Sequence, residues 1–211
     1  MRTFKGNGTV DIGSIEQASF SIIEQEAGNH GFPPDRWAVV ARMIHSTADF
    51  EYLSTVRFHK QAISRGVAAI RAGAPVFTDT AMAMAGIRKS LLGPYGVRVE
   101  CLIGEPVVGR RAAAQGVTRA HAAVDEVIDR LDGCIYAVGN APTALLRLVE
   151  IIRAGRAAPS LVIGLPVGFV NVIRAKQALL QQDVAYITNT SRKGGSNVAA
   201  AVINALGLLA G

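Results

Sequence analysis

The chain is poor in cysteine, in aromatic residues and in charge. Two cysteines among 211 residues build no disulfide framework and no CxxC pair. Cys101 and Cys134 both lie in strand-like runs and read as buried free thiols. Phe, Trp and Tyr make up 6% of the residues, too few for a base-stacking platform on a nucleic acid. Charged residues are 18%, against roughly 25% in an average globular protein, so disorder is not expected. The four histidines, His30, His45, His59 and His121, form no HExxH or other close pair, and no metal site is expected. Met1-Arg2-Thr3-Phe4-Lys5-Gly6 has none of the apolar character of a secretory signal. The apolar stretch from Val198 to Ala210 is broken by Asn204 and Gly207 and is too short to cross a bilayer. No membrane partner is expected, and the location reads as cytoplasmic. The sequon-like triplets at Asn7 and Asn189 carry no meaning there.

What the chain does hold is apolar bulk and positive charge. Half of its residues are hydrophobic and 22 are glycine, enough to bury roughly 70% of the unfolded surface at this length. Lys and Arg number 22 against 16 Asp and Glu, giving a net charge of +6 and a pI near 9.7. The positive charges are scattered, and Arg110-Arg111 and Arg192-Lys193 are only pairs. A small acidic ligand fits this charge better than a nucleic acid, which is not expected as a partner. No linker or low-complexity segment divides the sequence, so residues 1–211 read as one domain.

Ser14 as cap, Ile15 to Ile23 as an amphipathic stretch and Gly28 as stop predict a first helix. Pro33-Pro34-Asp35 opens a second, with Trp37, Val40, Ala41 and Ile44 as its core stripe. A third runs from about Lys60 to Arg71 and closes at Gly73. Short apolar runs then alternate with helical stretches. Strands are expected at 75–78, 97–103, 134–138, 160–163 and 184–187, with helices at 143–153, up to Gln181, and from Ser196. Repeated strand–loop–helix units imply a mostly parallel sheet with helices on both faces.

Three loops at the carboxyl ends of these strands are candidates for ligand binding, because open α/β sheets bind there. They are Gly139-Asn140-Ala141-Pro142-Thr143, Gly164-Leu165-Pro166-Val167-Gly168, and Ser191 to Ser196 with Arg192 and Lys193. N–H groups at such helix starts can hold an anion; an ordinary helix entry with glycine for tight turning is the plain alternative. The GxxxxGK[ST], GxGxxG and GxSxG motifs are absent. His45 lies near the end of its helix, where the dipole favours an imidazolium by roughly 0.3–1 kcal/mol. Asp49 would reinforce it if the helix continued. Arg119 by itself reads as a solvated helix-start residue.

Four strings occur in a distinctive order: Arg42-Met43-Ile44-His45-Ser46-Thr47-Ala48-Asp49-Phe50-Glu51, Gly139-Asn140-Ala141-Pro142-Thr143-Ala144-Leu145, Gly164-Leu165-Pro166-Val167-Gly168-Phe169-Val170, and Lys193-Gly194-Gly195-Ser196. Together they resemble the precorrin-8X methylmutase family of cobalamin biosynthesis, including its cobalt-precorrin-8 form, over essentially the whole chain. The resemblance implies a cofactor-free isomerase that moves a methyl group from C-11 to C-12 of a corrinoid ring by a 1,5-sigmatropic shift, giving hydrogenobyrinic or cobyrinic acid. It implies a single-domain, flavodoxin-like three-layer α/β/α sandwich that forms homodimers. The family's essential histidine, a proton donor to the ring, falls on His45. Its substrate-contacting serine matches Ser19, its arginine in a Thr-Arg pair matches Thr118-Arg119, and Arg42 shares the histidine's helix. Asn140, Thr143, Gly194, Gly195 and Ser196 complete the expected polycarboxylate tetrapyrrole site. The chain departs from the family at Arg174-Ala175, where Glu-Ser usually precedes the lysine. The strings 47–51 and 78–80 lean toward the cobalt form. A non-catalytic tetrapyrrole carrier and a nucleotide-binding α/β domain are the rival readings, and a titrating group at His45 speaks against the carrier.

Overall fold

The computed structural model describes residues 12–211; the expectations placed on Met1 to Gly6 and on Asn7 lie outside them. Two helices, α1 (Ile12–Ala27) and α2 (Pro34–Thr47), lead into a one-turn α3 (Tyr52–Thr55) and a short strand β1 (Val56–Phe58). The chain then runs α4 (Ala62–Arg71), β2 (Val76–Thr78), α5 (Ala81–Gly86), α6 (Lys89–Leu92), β3 (Val99–Glu100), α7 (Pro106–Gln115) and α8 (Arg119–Glu126). It finishes with β4 (Ile135–Val138), α9 (Pro142–Arg153), β5 (Leu161–Gly164), α10 (Val172–Leu180), β6 (Tyr186–Asn189) and α11 (Ser196–Ala210).

The six strands form one sheet in the order β1-β6-β5-β4-β2-β3. All neighbours are parallel except β1, which runs antiparallel to β6. Without β1, the five parallel strands follow the 2-1-3-4-5 order of flavodoxin-like sheets. Parallel strands covered on both faces need unbroken apolar runs, and β4 and β5 are buried at every position. Ile135, Ala137, Leu161 and Ile163 face the core beneath one helical layer. Tyr136, Val138 and Val162 face the core beneath the other. The first layer contains α2, α4 and α5 packed around the apolar α11, with α1 laid over α2. The second passes from α7 through α8 and α9 to α10. The three-layer α/β/α sandwich is therefore as expected.

Several local details differ. Strand β1 was not anticipated: three residues with no turn signal in front of them pair at the sheet edge, Val56 opposite Asn189 and Phe58 opposite Ile187. The last strand sits two residues later than expected, and β3 keeps only Val99–Glu100 of the 97–103 run. Ser14 lies inside the first turn of α1 rather than capping it. Gly28 and Gly73 do close their segments with positive φ. Cys134 is buried and Cys101 half-buried, both as free thiols. Asn189 is wholly buried in β6. Among the described residues no helix is long and apolar enough to cross a membrane.

Candidate active site

The carboxyl ends of β2 and β4 flank the crevice where flavodoxin-like sheets usually take their ligand. Here the protein fills it with its own carboxylate. Asp79, 2% exposed, follows β2 and accepts from the N–H groups of Gly139, Asn140 and Ala141 at 2.8, 2.8 and 2.6 Å. These donors lie at the entry to α9, where the helix dipole favours an anion. Burial pushes the Asp79 carboxyl up, and the three N–H groups pull it the other way.

The other two loops are committed in the same manner. Leu165 N–H donates to Val138, Gly168 N–H to Arg192, and Gly195 N–H to Leu165. The N–H groups of Gly139, Asn140, Ala141, Leu165, Gly168 and Gly195 are thus taken within the protein. All three loops share the rim, but where their N–H groups are buried they must find partners inside the protein, and the loops supply them to one another. Close packing makes the glycines necessary. A Cβ on Gly194 would stand 2.2 Å from the Leu165 carbonyl oxygen, and Gly195 has φ +138°, where L side chains are strained. Ser196 bonds Thr80 at 2.7 Å between hydroxyls.

Two lysines hold the β6–α11 loop. Lys176 is 1% exposed, and its Nζ donates to the carbonyls of Ser191 and Lys193 at 2.7 Å each. Burial pushes its pKa down to about 7, with Glu51 pulling upward. Lys193 pairs with Asp49 at 2.7 Å and Glu51 at 2.9 Å, so its charge is not spare for a ligand. Hydrogen bonds donated to these two carboxylates hold the Lys193 ammonium above its usual range. Burial works against the Asp49 charge, but Lys193 and the Glu51 N–H still keep its carboxyl below the usual range. Arg174 of the Arg174-Ala175 departure is exposed, while Ala175 is buried in α10.

His45 is exposed in the last turn of α2. Ala48 adopts φ 52° and ends that helix, so Asp49 turns away to Lys193 instead of reinforcing the histidine, as a continued helix would have allowed. The imidazole stacks on Phe20 of α1, with centroids 5.0 Å apart and planes at 15°. Arg42 lies over the same Phe20 ring at 5.0 Å and reaches Glu16 at 3.1 Å. A cavity of about 400 Å³ beside His45 is lined by Ser19, Ile44 and Phe50. A second, of about 270 Å³, is lined by His45, Arg42, Ser46 and Asn197. Ser19 donates its hydroxyl to Ile15 of its own helix at 2.9 Å. Ser19, Arg42 and His45 therefore come together on α1 and α2.

Thr118, Arg119, Thr143 and Asn140 gather in the other layer. Thr118 caps α8 by accepting from His121 N–H at 3.2 Å and bonds Thr143 at 2.8 Å. Arg119 is exposed beside Gly109 and has no ion pair among the described residues. The Asn140 side chain is exposed although its N–H is taken. Gly194, Gly195 and Ser196 lie between the two groups: Asn197 donates to the Ser46 carbonyl at 3.2 Å, and Gly139 packs against Gly195 and Ser196. Sequence reasoning missed Asp79, Lys176, Thr80 and Asn197. Lys176 had a signal, for it falls on the Val172–Ala175–Leu179 core stripe of α10. At the lip, Phe169 and Val170 are 85% and 77% exposed, and the Arg192 guanidinium sits 5.7 Å from the Phe169 ring centre.

An α/β/α sandwich of flavodoxin-like strand order, with an exposed histidine at the end of α2 and exposed arginines, defines the class of protein. The comparisons narrow that class to one family. A sequence model of the precorrin-8X methylmutase family matches residues 14–209. The cobalt-precorrin-8 methylmutase of Priestia megaterium is 42% identical, covering 96% of this chain and 90% of its own length. The precorrin-8X methylmutase of Pseudomonas aeruginosa is 37% identical, covering 92% and 93%. The crystal structure of precorrin-8X methyl mutase from Thermus thermophilus superposes with a TM-score of 0.88 at 49% identity, covering 94% and 96%. The chain belongs to the precorrin-8X methylmutase family and is an isomerase.

Proposed function

We propose that the protein moves the methyl group of precorrin-8X, or of its cobalt-loaded form, from C-11 to C-12, with His45 as proton donor. The observation that carries this reading is the position of His45, exposed between two cavities at the end of α2 and steadied by Phe20. In the shift one carbon–methyl bond breaks and its neighbour forms, with no net redox change or hydrolysis. The ring borrows one proton and returns it. Such a rearrangement calls for a held macrocycle and a placed acid, which contributes about 10²–10⁴-fold, and it needs no cofactor.

The rim offers chemistry for each part of this ligand. Acetate and propionate arms suit Arg42 and Arg119 and the net charge of +6. Ser19, Thr118, Asn140, Thr143 and Ser196 supply hydroxyl and amide groups, while Gly194 and Gly195 let the loops close beneath them. The exposed Phe169 and Val170 offer an apolar face to the macrocycle. The enzyme works in the cytoplasm as one domain and as a homodimer, supported by the exposed apolar Ile15, Ile22, Met82 and Leu208. Its two sites lie at the seam, with His45 and Arg119 of different subunits reaching one substrate.

The test is to incubate the protein with metal-free and cobalt-loaded ring and follow the absorption spectrum. Conversion of either form to its methyl-shifted acid supports the reading and names the ring form. Tight binding with no spectral conversion of either would make the protein a carrier instead.

A further inference from the structure

We infer that Lys193 is a positioning residue for His45, acting through Asp49 and Glu51, and that the β6–α11 loop is a brace for the catalytic turn. This rests on the proposed role of His45. The last turn of α2 has carbonyls that its own helix cannot satisfy. One of them, on Ser46 next to His45, accepts from Asn197 Nδ2 at 3.2 Å. Just past the helix end, Lys193 draws Asp49 and Glu51 onto one ammonium at 2.7 and 2.9 Å. The His45 turn is thus tied at two points, to Lys193 in the β6–α11 loop and to Asn197 in the first turn of α11.

The loop can act as a brace because it is itself fixed from below. The Lys193 carbonyl accepts from both Lys176 Nζ at 2.7 Å and Asn189 Nδ2 at 3.0 Å. Lys176 and Asn189 are both buried, and Gly194 is wedged on the Leu165 carbonyl. A single exposed ion pair does little. Here, however, removing the ammonium leaves two neighbouring carboxylates to repel each other, and the turn behind His45 opens. Small misplacement of a reacting group can cost about 10²-fold in rate, while Thr118, Arg119, Asn140 and Thr143, proposed to hold substrate arms, lie in the other helical layer.

The experiment compares Lys193→Met, Lys193→Arg and Asp49→Asn with the unsubstituted protein, using kcat and KM on the ring form it turns over. In parallel, NMR follows the His45 imidazole resonances without substrate. For Lys193→Met we expect kcat to fall about ten- to a hundredfold, KM to stay within about twofold, and the imidazole resonances to shift; Lys193→Arg should restore most of the rate. Asp49→Asn should shift the same resonances with a smaller loss. An unchanged kcat, a raised KM with intact kcat, or a loss that merely tracks the unfolded fraction in a thermal melt would overturn the inference. Unmoved His45 resonances would overturn it also. Failure of the methylmutase reading would show separately, as no turnover by the unsubstituted protein, and the NMR arm would still report on the brace.

Discussion

The centre of the rim and its flanks use charge in opposite ways. At the centre, Asp79 and Lys176 are buried and spent on the protein's own backbone, the first on three N–H groups and the second on two carbonyls. On the flanks, His45 and Arg119 are exposed, and Arg119 has no ion pair among the described residues. The centre is a frame that seals the usual ligand crevice of this sheet order, and the flanks leave polar side chains exposed, where the proposed site lies. The difference teaches that a ligand-ready loop pattern is not itself a site. Gly139-Asn140-Ala141 looks like an anion cradle, and the anion it cradles is internal.

Breaking the frame should cost stability most. Asp79→Ala strands three donors at the head of α9, and we expect a loss of about 3–5 kcal/mol, since each bond to a charged group is worth about 1.5–3 kcal/mol and partial hydration recovers some of it. Urea unfolding checks this; a loss under 1 kcal/mol would mean the crevice is not sealed by that carboxylate. On the flank, Arg119→Ala should leave the urea midpoint in place and weaken product binding by about 1.5–3 kcal/mol, with the wild-type affinity falling as salt is added. Isothermal titration measures both, and an unchanged affinity would return Arg119 to the solvated surface.

The frame should also respond to pH. Lys176 titrates at about 7 when folded against an ordinary 10.5. Between these values the unfolded chain binds more protons than the folded one, so stability should rise with pH, by at most about 1.4 kcal/mol per pH unit. Below pH 7 the contribution is flat. Comparing unfolding at pH 7 and 9 for the unsubstituted protein and Lys176→Met isolates the slope, which should vanish in the variant. The two flanks can also be tested against each other. Mixed subunits of inactive His45→Ala and inactive Arg119→Ala, unfolded and refolded together, should regain part of the activity if the flanks meet across a dimer seam. Confirmed hybrids without recovery would put both residues in one subunit, and a monomer by light scattering would remove the shared site.

The two regions also differ in how far they could be read from the sequence. The buried parallel strands were legible because both faces are covered, which leaves unbroken apolar runs such as Ile135–Val138. Strand β1 was not, because its three residues are ordered by Asn189 and Ile187 across the sheet edge and carry no periodic signal. Ser19, Arg42 and His45 share two adjacent helices, so their nearness followed from local pattern and family resemblance. Asp79 meets its partners some 60 residues away, and Lys193 meets Asp49 from the far end of the sequence, beside the adjacent strands β6 and β1; no local spacing encodes either. Lys176 is the intermediate case, marked by a charge on a core stripe.

The proposed methyl shift rests on His45. In His45→Ala, single-turnover spectra on the ring form the enzyme uses should show the methyl shift slowed by about 10²–10⁴-fold, with product affinity near that of the unsubstituted protein because the proposed arm contacts, Arg42 and Arg119, are left in place. A rate within a few-fold of normal in the folded variant would contradict it.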